Sequence, residues 1–394
     1  MNSPNALPPL SLITDAIAWR RDFHAFPELG YQEERTARRV AELLMSFGME
    51  VFVGIGGTGV VATLENGPGP SIGLRADMDA LPMQEKGEIA HRSSHIGCMH
   101  ACGHDGHTSI LLATARHLSE TGDFVGKIHF IFQPAEETGA GARKMIEDGL
   151  FERFPMDYVY GLHNWPGIPL GQLQVNPGAM MASQDMFDIT LYGKGCHAAM
   201  PDRGIDPVVV ACQLVTALQS LVSRRLSPLD PAVISVTAVE AGSAYNVIPD
   251  VALLKGTVRC LQPSVREHVR ELMAEMINHL PQAFGVTGTL DYRPGYPVTQ
   301  NTPEAATRVA QVARQVLGED SVRWNAPPSM ATEDFSYMLE ACPGAYFWLG
   351  ADCEQHSTPL HNPHYDFNDG LIPLGVRLFT GLVTSHSESY SAKR

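Results

Sequence analysis

Apolar positions recur every three to four residues over 11–25 and again over 33–48, the second run closing at Gly48, and this spacing predicts two helices. Runs rich in apolar residues, several of them β-branched or aromatic, follow at 49–53, 59–65, 71–75, 127–132 and 157–163 and read as strands. Helical spacing at 106–119 separates two of them, and a further helical stretch at 139–150 ends around Gly149. Strands alternating with helices predict an α/β sheet. GIGGTG at 54–59 matches Gly-x-Gly-x-x-Gly, the signature of a dinucleotide turn. Strand-like VVATL follows it, where a nucleotide site needs a helix, so the glycines read as a hairpin turn.

The pattern breaks at VNPGAMMAS, 175–183, and again at RPGYPVTQN, 293–301. Between the breaks the order is strand 185–192, helix 206–225, strand 232–240, strand 249–260, helix 263–284 and strand 286–292. That β-α-β-β-α-β order predicts a ferredoxin-like unit inserted into the first domain. The expected division is 1–181 and 298–394 for the outer domain, which resumes with helix 303–317, and 182–297 for the insert.

Charge narrows the partners. The 394 residues hold 43 acidic and 28 basic side chains, a net charge of −15. No basic stripe is present to neutralise phosphates, which argues against nucleic acid and anionic membrane surfaces. No apolar run is read as reaching the roughly 20 residues of a membrane span, and the first thirty residues lack a signal-peptide core. Seven cysteines, an odd and sparse number, fit free thiols and a cytoplasmic location better than a disulfide framework.

The densest chemistry lies in MHACGHDGH, 99–107, where His100, Cys102, His104 and His107 offer four candidate metal donors. An i, i+2 spacing puts Cys102 and His104 on one side of an extended segment. Asp105 precedes an apolar helix as a candidate N-cap. QPAEE, 133–137, sets Glu136 and Glu137 after a strand, where adjacent side chains diverge. One can bind a metal while the other faces water. His163 in YGLHNWP and Asp77 and Asp79 in LRADMDALP also follow strands, and ligands of open α/β sheets gather at those strand ends. His361 or His364 in LHNPHYDFND can complete the set. One thiolate, one carboxylate and three imidazoles exceed a single tetrahedral zinc and suit two metals sharing a bridging group. A spare glutamate then serves as general base, and the chemistry is metal-assisted hydrolysis of an amide or ester.

These motifs, with FHAFPELGYQE, GKGCHAAMPDRGIDP, GSAYNVIPD and TEDFSYML, resemble the metal-dependent aminoacylase/carboxypeptidase family of co-catalytic metallopeptidases. Within it the match is to the amidohydrolase branch of hippurate hydrolases and indoleacetyl-amino-acid hydrolases. The resemblance implies a mixed-sheet metallopeptidase-like catalytic domain with an inserted lid and dimerisation domain. It implies metal ligands at Cys102, His104, Glu137, His163 and His361, a bridging role for the Cys102 thiolate, a catalytic base at Glu136 and an orienting aspartate at Asp77. Arg75 stands where other branches carry a metal-binding histidine. His197 implies an oxyanion donor, and Asn246 a contact to the substrate carboxylate or the oxyanion. The guanidinium of Arg259 offers a bidentate partner for a substrate carboxylate, with an edge-strand surface pair as its alternative.

The function expected is hydrolysis of N-acyl amino acids to carboxylate and amino acid by a metal-bound hydroxide, with two divalent ions per subunit. Zinc is the first choice for a thiolate, with manganese, cobalt and nickel as alternatives. A homodimer through the lid is expected, or a tetramer. The rival readings are a dipeptidase or carboxypeptidase of the same family and a non-catalytic metal-dependent binding protein. Cys212 and Cys260 read as core thiols, and Trp165 as a pocket wall.

Overall fold

The computed structural model describes residues 7–392; the outermost ends of the expected outer domain, 1–6 and 393–394, lie outside them. The chain divides into two compact units. One runs to Met180 and takes up Thr299–Pro327 and everything from Glu333 onward, and the other comprises Met181–Val298 and Pro328–Thr332.

The first unit is built on an eight-stranded sheet. Its strands are β1 (Glu50–Ile55), β2 (Gly59–Asn66), β3 (Ser71–Asp77), β4 (Gly126–Gln133), β5 (Tyr158–Pro169), β6 (Leu173–Val175), β7 (Val322–Trp324) and β8 (Gly344–Asp352). Their order is β1-β2-β4-β3-β5-β8-β6-β7. Pairings β4–β3, β3–β5 and β5–β8 are parallel, whereas β1–β2 and β2–β4 are antiparallel, so the sheet is mixed. GIGGTG makes the turn joining β1 to β2, as its strand-like sequel requires. Central strands are buried along nearly their whole length, which is why they read as unbroken apolar runs.

Helix α1 (Leu10–Ala25), α2 (Glu34–Ser46) and α3 (His104–Thr121) pack on this unit. In α2 the buried set Thr36, Ala37, Val40, Ala41 and Leu44 repeats at helical spacing. In α3 every residue from His104 to Ala115 is buried, so the donors at its start are carried on a rigid core element.

The second unit has four antiparallel strands, Asp185–Tyr192, Ala232–Ala241, Val251–Cys260 and Thr287–Pro294, in the spatial order second-third-first-fourth. With helices Pro207–Ser220 and Pro263–His279 this is the ferredoxin-like arrangement that the element order predicts. Phe187, Ile189, Leu214, Leu254, Val269 and Met273 belong to its core.

Several expectations change. Pro207–Arg225 is long and apolar enough, by length and composition, to cross a membrane. Its residues Val210, Leu214, Leu218 and Leu221 lie in the second unit's own core, which accounts for the apolarity. Helix 206–225 is α-helical only to Ser220 and ends in a π turn, Leu221–Arg225, while 263–284 breaks into an α-helix and a 3-10 turn at Pro281. Cys260 is buried as expected, but Cys212 falls on the outer face of its helix and is exposed. All seven cysteines are free.

Candidate active site

The donors of MHACGHDGH do not sit on an extended segment. Gly103 takes φ +95°, a left-handed conformation, and turns the chain directly into α3 at His104. A Cβ there would collide with Asn164 Oδ1, and a Cβ at Gly106 would enter the Phe367 ring, so both glycines are required by close approach. Cys102 and His104 nevertheless converge, because the turn folds the thiol back toward the first helical residue. Asp105 lies in the first turn but does not cap it. Its Oδ2 instead accepts a hydrogen bond from His24 Nδ1 at 2.8 Å.

Three donor groups overlap. Cys102, His104 and His163 form one, Cys102, Glu137 and His361 a second, and His104, Glu136 and Glu137 a third, each with ligand atoms within 4.8 Å of one another. Cys102 Sγ is 3.4 Å from His163 Nε2, and Glu137 Oε1 is 3.1 Å from His361 Nε2. The thiol therefore stands between two sets of donors.

The histidines are oriented for coordination. His104 Nδ1 donates to the Asp79 carbonyl at 2.9 Å and His163 Nδ1 to the Asn164 carbonyl at 2.7 Å. Each ring thereby turns its Nε2 toward the cluster, the orientation a metal ligand needs. His104 Nε2 is buried and has no hydrogen-bond partner among the described residues, an orphan that a cation would satisfy. Burial works against a charged His104, yet Asp77, Asp79 and Glu137 bring its pKa up to about 10. Burial, with Glu137 and Glu136 nearby, holds the Cys102 thiol well above its usual range. Burial, reinforced by His107, holds His163 well below the ordinary imidazole range. One thiol, one carboxylate and three imidazoles gathered in overlapping groups fit the two dications that the donor set implies.

His163 does not close its strand as expected; β5 continues to Pro169, with His163 in register with Trp348 on β8. Glu136 and Glu137 lie three and four residues past the end of β4, beyond a left-handed Ala135, and Asp79 fixes them both. Its two carboxylate oxygens accept from the backbone N–H groups of Glu136 at 3.0 Å and Glu137 at 3.1 Å. Burial, together with the charges of Glu333 and Glu137, lifts Glu136 well above the usual carboxyl range, the direction that suits a proton carrier near neutrality.

Asp77 is wholly buried and pairs with His107 Nδ1 at 2.6 Å and Arg75 Nη1 at 2.8 Å; His104 Nε2 lies 3.8 Å away. Burial alone would raise its pKa, but His104, Arg75 and His107 keep it far below. His107 also meets Asn164 Oδ1 at 2.6 Å. Arg75 sends its remaining N–H groups to Gln133 at 2.8 Å and Glu333 at 2.8 Å, so this arginine clamps carboxylates behind the site. Asp79, Glu333 and Asp334 received no role from the sequence. His361 joins the cluster, whereas His364 lines a separate cavity of about 200 Å³ with His356 and Asp366. His100 is buried with both ring nitrogens unpartnered and is absent from the donor groups.

Behind α3 a second buried network ties down the donor segment. His24 Nε2 lies 3.4 Å from Glu85 Oε1, and Arg20 Nη1 is 3.7 Å from Asp105 and 2.8 Å from Asp366. Burial opposes the charge on His24, but Asp105 and Glu85 raise its pKa to about 9. The pair's stability is therefore fully present below about pH 6.5 and is lost as pH rises through about 9. The change is on the order of 3 kcal/mol. Denaturant unfolding of the metal-free protein at pH 6 and pH 9.5 should show it, and His24→Gln should remove most of the difference.

In the second unit, His197 and Asn246 come together. His197 is in register with Val247, and Ala198 N–H donates to the Asn246 carbonyl at 3.0 Å; both side chains are exposed. Arg259 lies on a central strand, which removes the edge-strand alternative, and its Nη1 is buried with no hydrogen-bond partner among the described residues.

A mixed-sheet hydrolase unit with overlapping metal donors and a neighbouring buried carboxyl is the class that these features define. Residues 73–385 match peptidase family M20/M25/M40, and the chain belongs to that family. It is 41% identical over 368 residues to a hippurate hydrolase of Campylobacter jejuni, covering 93% of this chain and 95% of that protein. An N-acetyl-L-cysteine deacetylase of Bacillus subtilis is 39% identical over 358 residues, 90% of this chain and 84% of that one. The solved structure of Bacillus subtilis YXEP protein, a dinuclear metal binding peptidase from the M20 family, superimposes with TM-score 0.85. Its identity is 33%, covering 96% of this chain and 99% of that chain.

Proposed function

We propose that the protein hydrolyses the amide bond of N-acyl amino acids, releasing a carboxylate and a free amino acid. One observation carries this reading: Cys102 belongs to two donor groups at once, with Glu136 beside them in a third. We assign Cys102, His104, Glu137, His163 and His361 as the residues that hold two divalent ions, with zinc preferred because a thiolate is a soft ligand. When bound, the ions supply Lewis acidity toward the amide carbonyl and make an attacking water more acidic.

The chain's own residues do the rest. Glu136 takes the proton of the attacking water and passes it to the departing amine, while Asp79 fixes its backbone position. Asp77 and Arg75 hold the wall behind the donors in one charge state. In the second unit His197 is proposed as donor to the developing oxyanion. Asn246 is proposed to meet the substrate's carboxylate or the oxyanion, and Arg259, whose Nη1 has no hydrogen-bond partner among the described residues, to receive the carboxylate.

A homodimer through the second unit is the proposed assembly. Its Ala232–Ala241 strand is a sheet edge carrying exposed Val233 and Val239, and such an edge invites pairing. A reducing, cytoplasmic setting is proposed from the unpaired thiols.

The test is a substrate panel. Metal-free protein reconstituted separately with zinc, manganese, cobalt and nickel is assayed on N-benzoylglycine, N-acetylcysteine and an unblocked dipeptide. Turnover of a blocked substrate at least about tenfold above the dipeptide is expected on the N-acyl reading. Preference for the dipeptide would favour the peptidase reading. Stoichiometric metal with no turnover of any of the three would favour a binding protein.

A further inference from the structure

Trp165 follows His163 by two positions on β5, so both side chains face the same side of the sheet. Trp348, the register partner of His163 on β8, faces that side too. The two indoles stack with centroids 3.9 Å apart and planes within 9° of parallel. The His163 ring meets Trp165 nearly edge-on at 6.0 Å. Trp348 is only 2% exposed, and its indole N–H has no acceptor among the described residues. Face-to-face packing, with no polar anchor on Trp348, therefore holds the pair. Trp165 is partly exposed; one of its faces rests on Trp348, so the exposure belongs to the rest of the ring.

We infer that Trp165, backed by Trp348, is the wall on which a planar aromatic group of the substrate stacks, making it a specificity-determining residue for aryl-bearing amides. The inference rests on the hydrolytic reading above and deepens it. A rigid indole face beside a metal-donor histidine gives a flat ring both buried area and favourable quadrupole contact, whereas a short aliphatic group gains area alone. A ring joined directly to the scissile carbonyl is one source of that chemistry, and a ring on the amino-acid portion is the other.

Wild type, Trp165→Leu and Trp165→Phe are compared, reconstituted with zinc. The substrates are N-benzoylglycine, N-acetylphenylalanine and N-acetylglycine, and binding of benzoate and acetate is measured by calorimetry. Wild type should prefer one aryl substrate over N-acetylglycine. Trp165→Leu should lower kcat/KM for it about tenfold and leave N-acetylglycine within about twofold, with Trp165→Phe keeping most of the preference. Loss confined to N-benzoylglycine assigns the wall to the acyl side, and loss confined to N-acetylphenylalanine assigns it to the amino-acid side. An equal change on all three, or none, overturns the inference. If wild type hydrolyses none of them, the hydrolytic reading fails while the binding arm still decides. Benzoate weakened about tenfold by Trp165→Leu with acetate unchanged keeps the wall, and parallel behaviour of the two acids removes it.

Discussion

Replacing Glu136 with glutamine should lower turnover of an N-acyl amino acid by on the order of a thousandfold while leaving the bound metal at wild-type stoichiometry. The amide matches the carboxyl in size and can still occupy the site, but it accepts no proton. Its backbone anchor does not depend on its charge. Asp79 holds residue 136 through the backbone N–H, at 3.0 Å, a contact that the substitution leaves intact. The group formed by Cys102, Glu137 and His361 does not include residue 136. Removing a negative charge from beside Glu333 and Glu137 also relieves repulsion, so the variant should fold at least as stably as wild type. Elemental analysis and stopped assays on the same preparation separate the two effects. A Glu136→Gln enzyme that keeps more than about a tenth of wild-type kcat would show that the proton is carried elsewhere.

How far the sequence could be read depends on how far apart the partners are along the chain. MHACGHDGH was legible because four donors fall within nine residues, a density that few other roles demand. The ferredoxin-like unit was legible because its elements alternate cleanly between Pro/Gly breaks, and GIGGTG was separable from a nucleotide loop by the strand after it. Harder cases are set by distant groups. Asp105 has the sequence position of a cap, yet its carboxylate is claimed by His24, 81 positions away. Arg75 reads as a departure from a ligand motif, and its function as a clamp appears only when Glu333, 258 positions on, is folded against it. Asp79 sits in a motif already noted, but nothing local reveals that its two oxygens seat the Glu136–Glu137 turn. Cys212 shows the opposite failure: apolar neighbours suggested burial, and the helix phase turned it outward. His163 looked like a strand end because apolar character thins after it, whereas pairing with β8 carries the strand on.

Removing the Cys102 thiol should have the second large effect. Cys102→Ala takes away the atom that joins the Cys102–His104–His163 group to the Cys102–Glu137–His361 group, leaving His104 and His163 on one side and Glu137 and His361 on the other. Two ligands each are too few for tight binding of a dication where four are usual. Bound metal after reconstitution and dialysis should therefore fall from about two ions per chain to below one, with activity falling in step. Cys102→Ser should be intermediate, because its oxygen is harder and is not ionised at neutral pH. The wild-type site should also release protons as it fills. In the metal-free protein burial and the nearby Glu137 and Glu136 keep the thiol protonated, and His104 holds its proton to about pH 10 through Asp77 and Asp79. A cation must displace both, so affinity should fall steeply as pH is lowered. Calorimetry in buffers of different ionisation enthalpy should count on the order of two protons per chain in wild type and about one fewer in Cys102→Ala. Unchanged metal content and unchanged proton release in that variant would mean that the overlap at Cys102 is a packing coincidence, and the two-ion reading would then lose the observation that carries it.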